Sequence, residues 1–144
     1  MRTLAALALV FSAQAFACPQ LTGSFTCTAQ DGSKQVMKIT QDMKGTTTVY
    51  NINGSDLPAD KSVMNLPDDD SLKNATISAW CDDDVTLKAQ ILGKYYQDGS
   101  YFGDLTANLG FSMKGKDLAQ HMTGDVKASS GDYPINSDTV CTAN

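Results

Sequence analysis

The chain has 144 residues, 42% of them apolar, with eleven basic and sixteen acidic side chains. Every acid is Asp and the single Arg is Arg2, so residues 18–144 carry ten Lys against sixteen Asp, a net charge of −6. A surface without Arg and with excess acid has no cation cluster for phosphates, which excludes a nucleic-acid binder. The lack of Glu and the wealth of Asp, Thr, Ser, Asn and Gly argue against a helical domain.

Residues 1–17 read as a secretory signal peptide: Arg2 is the positive region, Leu4 to Phe11 the apolar region, and Ala15-Phe16-Ala17 the small-residue cleavage site. The apolar run is too short to span a bilayer and no second run follows, so no transmembrane segment is expected. Residues 18–144 then form a single domain, secreted or periplasmic. A Cys directly after the cleavage site raises the alternative of a lipoprotein anchored through Cys18. However, Ala15-Phe16-Ala17 departs from the Leu-(Ala/Ser)-(Gly/Ala) that precedes an acylated Cys, and acylation would leave an odd thiol among four cysteines.

Leu21 to Ala29 alternates strictly, with Leu21, Gly23, Phe25, Cys27 and Ala29 on one face and Thr22, Ser24, Thr26 and Thr28 on the other, the pattern of a strand with one buried side. Asp31-Gly32-Ser33 turns the chain into a second strand, Val36 to Gln41, with Met37 and Ile39 inward. Lys44-Gly45 marks a hairpin into Thr46 to Ile52, and Asn53-Gly54 a type I′ turn. Ser55 to Leu66, with Pro58 in its middle, reads as a kinked edge strand, a short helix or a cover over one barrel end.

After the turn cluster Asp68-Asp69-Asp70-Ser71, alternation resumes. The inward sets are Ala75, Ile77, Ala79 and Cys81; Val85, Leu87, Ala89 and Ile91; Leu105, Ala107, Leu109, Phe111 and Met113; and Leu118, Gln120, Met122, Gly124 and Val126. A Ser/Gly loop, Ser129 to Asp132, precedes a last strand around Ile135 to Thr142. Eight or nine short strands joined by tight turns leave no room for crossover helices. The expected fold is all-β, a small antiparallel up-and-down barrel, with a two-sheet sandwich as the alternative.

Cys18, Cys27, Cys81 and Cys141 are expected to form two disulfides. An extended Leu21 to Cys27 holds Cys18 and Cys27 on the order of 20 Å apart, beyond disulfide reach. Two pairings remain, Cys18–Cys141 with Cys27–Cys81, or Cys18–Cys81 with Cys27–Cys141. The first is expected because it ties the chain ends together and sets Cys27 and Cys81 at matching ends of odd-numbered strands. The preference reverses if Ser55 to Leu66 is not a strand.

Residues able to carry chemistry are sparse. His121 is the only histidine, faces outward with Thr123 and Asp125, and lacks the Gly-x-Ser-x-Gly or free Cys that a nucleophilic triad needs. A hydrolase using His121 is therefore the least favoured reading, and the chain is expected not to be an enzyme. The Asp68–Asp70 and Asp82–Asp84 triplets, with Asp98 and Asp104, offer hard oxygen ligands for calcium but lack EF-hand spacing and are read as turns. No metal or cofactor is assigned. Tyr95, Tyr96, Tyr101 and Phe102 crowd around the turn Asp98-Gly99, as a lip for a ligand pocket, a protein-contact loop or a plug of the barrel end, and outward-facing Trp80 is a candidate member of the same patch.

Leu21-Thr22-Gly23-Ser24-Phe25 resembles the Gly-x-Trp opening of lipocalins and related calycin barrels, with Phe25 in place of the Trp. That resemblance implies an up-and-down barrel binding a small apolar molecule. Phe25-Thr26-Cys27 followed by Asp31-Gly32 resembles the Tyr-x-Cys opening of bacterial inhibitors of C-type lysozyme, and Phe111-Ser112-Met113-Lys114-Gly115 followed by Ala119 is similar to their Phe-Trp-x-Lys-Gly segment. That second resemblance implies that Lys114 enters a lysozyme cleft, with Ser100 as its companion. The expected function is a secreted, non-catalytic binding protein whose partner is a small apolar molecule or, alternatively, a secreted or surface protein to which it presents loops.

Overall fold

Period-two alternation continues through ten strands in the computed structural model, which describes residues 18–144; the signal peptide expected over residues 1–17 lies outside them. The strands are β1 (Gly23–Thr28), β2 (Lys34–Lys44), β3 (Thr47–Ile52), β4 (Ser55–Pro58), β5 (Met64–Asn65), β6 (Leu72–Cys81), β7 (Leu87–Gln97), β8 (Ser100–Lys114), β9 (Asp117–Ala128) and β10 (Gly131–Ala143). No helix occurs among the described residues. Tight turns set the register: Asn53-Gly54 has φ of 50° and 92°, and Asp98-Gly99 has 50° and 77°. This left-handed pair matches the twist of the flanking strands, and Asn and Gly adopt it at low cost.

All ten strands form one antiparallel sheet in the order β4-β3-β2-β1-β10-β9-β8-β7-β6-β5. Each strand lies beside its chain neighbour, except that β10 returns to pair with β1 while β4 and β5, consecutive in the chain, become the two edges. The sheet curls into a half-barrel. Its edges are drawn together at one end, where Ala59 N–H donates to the Thr48 carbonyl (2.9 Å), Lys61 N–H donates to the Ala79 carbonyl (2.8 Å), and Asp60 bridges Trp80. Ser55 to Leu66 is thus one kinked segment, pairing first with β3 and then with β6 around Pro58. It supplies two short strands, which is why the count is ten.

The inward sets follow the alternation of the sequence. Leu21, Phe25, Ile39, Tyr50, Leu87, Phe111 and Leu118 are buried together at the pole where the edges meet, and Ala79 and Ala89 make room for them. Each large side chain so buried contributes roughly 1.5–3 kcal/mol. The Tyr50 hydroxyl donates to the Pro19 carbonyl at 2.7 Å, so the one polar atom of this large core residue is satisfied. Burial pushes the Tyr50 phenol well above its ordinary value. Val85 does not continue the inward set of β7; it lies exposed in the loop before Leu87.

The cysteines pair as Cys18–Cys81 and Cys27–Cys141, so the expected pairing of Cys18 with Cys141 and Cys27 with Cys81 is incorrect. The two strands drawn from Ser55 to Leu66 place one more strand than expected before Cys81, which reverses the direction of the strand that carries it. The ladder Phe25↔Ala143, Thr26↔Thr142, continued by one residue, sets Cys27 opposite Cys141. Cys18 reaches Cys81 because residues 18–21 run under the pole, where Pro19 and Leu21 are buried. With its sulfur in that bond, Cys18 cannot at the same time carry a thioether-linked lipid.

Candidate functional site

The kink that joins the sheet edges also separates them. Beyond Ala59 to Lys61, where Lys61 takes a φ of 66°, β4 stays with β3 and β5 stays with β6. The two diverge into a V-shaped cleft of about 490 Å³, walled by Ile52 and Leu57 on one side and by Met64, Leu66, Pro67 and Ile77 on the other. The volume lies in the range of small-molecule sites. The rim acid is compensated: Asp56 accepts from Lys44 Nζ at 2.7 Å and from Asn51 Nδ2 at 2.8 Å. These bonds hold its carboxyl below the usual range, the Lys44 hydrogen bond foremost. What remains facing the cleft is mainly aliphatic.

The aromatic residues singled out by the sequence lie at the far end of β7 and β8 and divide into two groups. The β7–β8 register shifts between Tyr95 and Tyr96, so Tyr95 pairs with Gly103 and Tyr96 with Tyr101, leaving Phe102 as the extra residue of a bulge. Phe102 meets Tyr95 edge-on, with centroids 6.0 Å apart, and Tyr133 of β10 at 5.0 Å. Tyr96 and Tyr101 form a separate T-shaped pair at 5.7 Å, capped by Lys73 over Tyr96 and Lys94 over Tyr101. The Tyr101 hydroxyl donates to Asp104 at 2.8 Å, which raises its pKa. Trp80 does not join them: it pairs with Lys88, whereas Tyr95 pairs with Leu72, eight residues away along β6, or roughly 26 Å.

Lys114 ends β8 and is exposed beside the two-residue turn Gly115-Lys116, far from the Ser100 end of the same strand. The geometry therefore separates Lys114 from Ser100 by fourteen residues of extended chain. His121 faces outward and binds Asp138 of β10, Nδ1 to Oδ1, at 2.6 Å. No cluster of three or more metal-ligating side chains occurs among the described residues. The Asp loops instead cap their own turns, as Asp69 accepts from the amides of Ser71 and Leu72, and Asp83 from those of Val85 and Thr86.

Sequence reasoning missed Asp138, Tyr133 and the cleft walls. Asp138 and Tyr133 join their partners only through the β9–β10 register, which alternation does not specify, while Ile52 and Ile77 look like ordinary inward residues until the sheet edges are known.

The fold and cleft define an all-β, doubly disulfide-linked, curled-sheet protein. No family model matches the chain, and neither the curated proteins nor the solved structures contain a significant match.

Proposed function

We propose that this is a secreted or periplasmic, non-catalytic binding protein that takes up a small apolar molecule at the mouth of the half-barrel, between β4 and β5. The observation that carries this reading is the aliphatic cleft between the two sheet edges, lined by Ile52, Leu57, Met64, Leu66, Pro67 and Ile77. The pole beneath it is packed with Leu21, Phe25 and Tyr50, so a ligand would sit in the side opening and not at the centre. Two disulfides fit an oxidising compartment, and no helix among the described residues is long and apolar enough to cross a membrane.

The test is a titration of the chain from Cys18 onward with N-phenyl-1-naphthylamine, a neutral apolar fluorophore. Saturable one-to-one enhancement, weakened at least tenfold by Met64→Lys with the circular dichroism unchanged, is the expected outcome. Enhancement indifferent to Met64→Lys would refute the assignment.

A second reading, an inhibitor or interaction module acting on another protein, draws support from the exposed side chains at hairpin ends. Tyr101 is 50% exposed, Tyr133 is 44% exposed, and Lys114 is in no ion pair among the described residues. An assay of C-type lysozyme with wild type and Lys114→Ala tests its most specific form; absence of inhibition by wild type removes that form.

A further inference from the structure

Glycine inside a strand weakens it, and commonly marks a bulge, a sharp bend or a place where something approaches the backbone closely. Four glycines lie inside β7 to β9, and three have a reason within the fold. A Cβ at Gly93 would come within 2.8 Å of the Ala75 Cβ, and one at Gly103 within 2.5 Å of the Lys127 carbonyl oxygen. One at Gly124, where φ is +153°, would run into the Thr106 carbonyl. Gly110 has no such reason. A Cβ there meets only Thr86 Cγ2 at 3.4 Å, an ordinary van der Waals distance, and its φ is not left-handed.

Gly110 lies in a cross-strand row, Lys88–Gly110–His121–Asp138, on the outer face of β7 to β10. The missing side chain leaves a trough between Lys88 and His121. In the next row, Ser112–Ala119–Val140, Ser112 and Ala119 keep the floor low and the exposed Val140 forms an apolar side. The result is an open basin of about 600 Å³, with Lys114 at one end and Thr123 near the other.

The rim is built from dispersed polar groups. Asp138 occupies His121 Nδ1, so Nε2 is the free ring nitrogen. Lys88 is engaged by Asp82 at 2.7 Å, whereas Lys114 is in no ion pair among the described residues. His121 and Thr123 stand two residues apart along β9, about 6.6 Å, Ser112 lies diagonally across from His121 on β8, and Ala119 beside Ser112, with Val140 beyond it, adds C–H surface.

We propose that this basin binds a short saccharide bearing a carboxylate, one ring seated against the Gly110 backbone. Ser112, Thr123 and His121 Nε2 hydrogen-bond the hydroxyls, Ala119 and Val140 pack on the C–H face, and the Lys114 ammonium holds the carboxylate. The site is on the opposite face of the sheet from the apolar cleft and does not depend on it.

The test is titration of the ¹⁵N-labelled chain from Cys18 onward with trigalacturonic acid, with maltotriose as the neutral counterpart. Saturable amide shifts centred on Gly110, Ser112, Ala119 and His121 are expected, with maltotriose at least fivefold weaker. Gly110→Val, which fills the trough, and Lys114→Ala, which leaves the trough open, should each weaken binding at least tenfold; Gly110→Ala is the milder variant if Gly110→Val is not folded by circular dichroism. The proposal is overturned if no shifts appear at millimolar ligand, if shifts centre elsewhere, if the folded Gly110 variants bind as wild type does, or if maltotriose binds equally well.

Discussion

The two ends of the long strands are stabilised by different means. At the pole where β4 and β5 meet, side chains from many strands bury one another, and two disulfides pin the first residues and the last strand to the sheet. At the far end, only β6 to β10 remain. There the sheet coils tightly on itself at Gly93, Gly103 and Gly124, and covers its inner face with the Tyr95, Phe102 and Tyr133 rings. One end is held by contacts distant in sequence, the other mainly by hairpin neighbours. Damage should therefore spread through the whole molecule from the pole and remain local at the tip, unless it blocks the backbone coil itself.

The strongest test of that contrast is removal of a pole cross-link. Cys27→Ala with Cys141→Ala should cost about 2–5 kcal/mol, since the bridge closes a loop of 114 residues, and should shift the urea midpoint for the whole protein. Gly124→Ala is the exception at the tip: steric overlap with the neighbouring strand and a left-handed φ should together cost roughly 3 kcal/mol in the same titration. Gly110→Ala, whose new methyl would meet only Thr86 Cγ2 at 3.4 Å, should stay within about 0.5 kcal/mol of wild type. Equal losses for these two substitutions would sink the distinction between coil-forming and trough-forming glycines.

Losses of single side-chain contacts sharpen the picture. Tyr50→Phe leaves the buried Pro19 carbonyl without its donor and should cost about 1–3 kcal/mol, again globally. Phe102→Ala removes two aromatic neighbours worth about 0.5–1.5 kcal/mol each; hydrogen exchange should quicken around Gln97 to Gly103 and 128–133 while Phe25 and Leu118 stay protected. The smallest effect concerns acid. Asp69 and Asp83 are held below the ordinary value of 3.8 by the turn amides they accept. A depressed folded pKa gives stability that is present above 3.8 and is lost as pH falls through the lowered values. The melting temperature should decline there, with a shallower decline in Asp69→Asn and Asp83→Asn, whose turns no longer depend on ionisation.

Much of this architecture is legible in residue order. Alternation marks the inward faces of β1, β2, β6, β8 and β9 because one side of each strand is buried, and Asn53-Gly54 and Asp98-Gly99 declare their hairpins because few residues tolerate their φ. What alternation leaves open is which strands meet at the seam. Ser55 to Leu66 satisfies two neighbours in turn, so its pattern is that of neither a single strand nor a loop, and the strand parity that decides the partners of Cys18 and Cys27 depends on it. The aromatic cluster was visible through Tyr95, Tyr96, Tyr101 and Phe102, but its division into two groups follows from the bulge at Phe102. The cleft had no signature because its walls are ordinary core residues left uncovered by a diverging chain.

The pairing of the last strand with the first has a consequence for biogenesis. On the side away from β2, Phe25 and Thr26 find their sheet partners in Ala143 and Thr142, and the amide of Asn144 donates to the Ser24 carbonyl. A growing chain therefore carries an incomplete sheet, with one flank of β1 bare, until residues 142–144 have been made. Closure of that flank is therefore a late step of folding, set back by the long stretch of chain between the two partners.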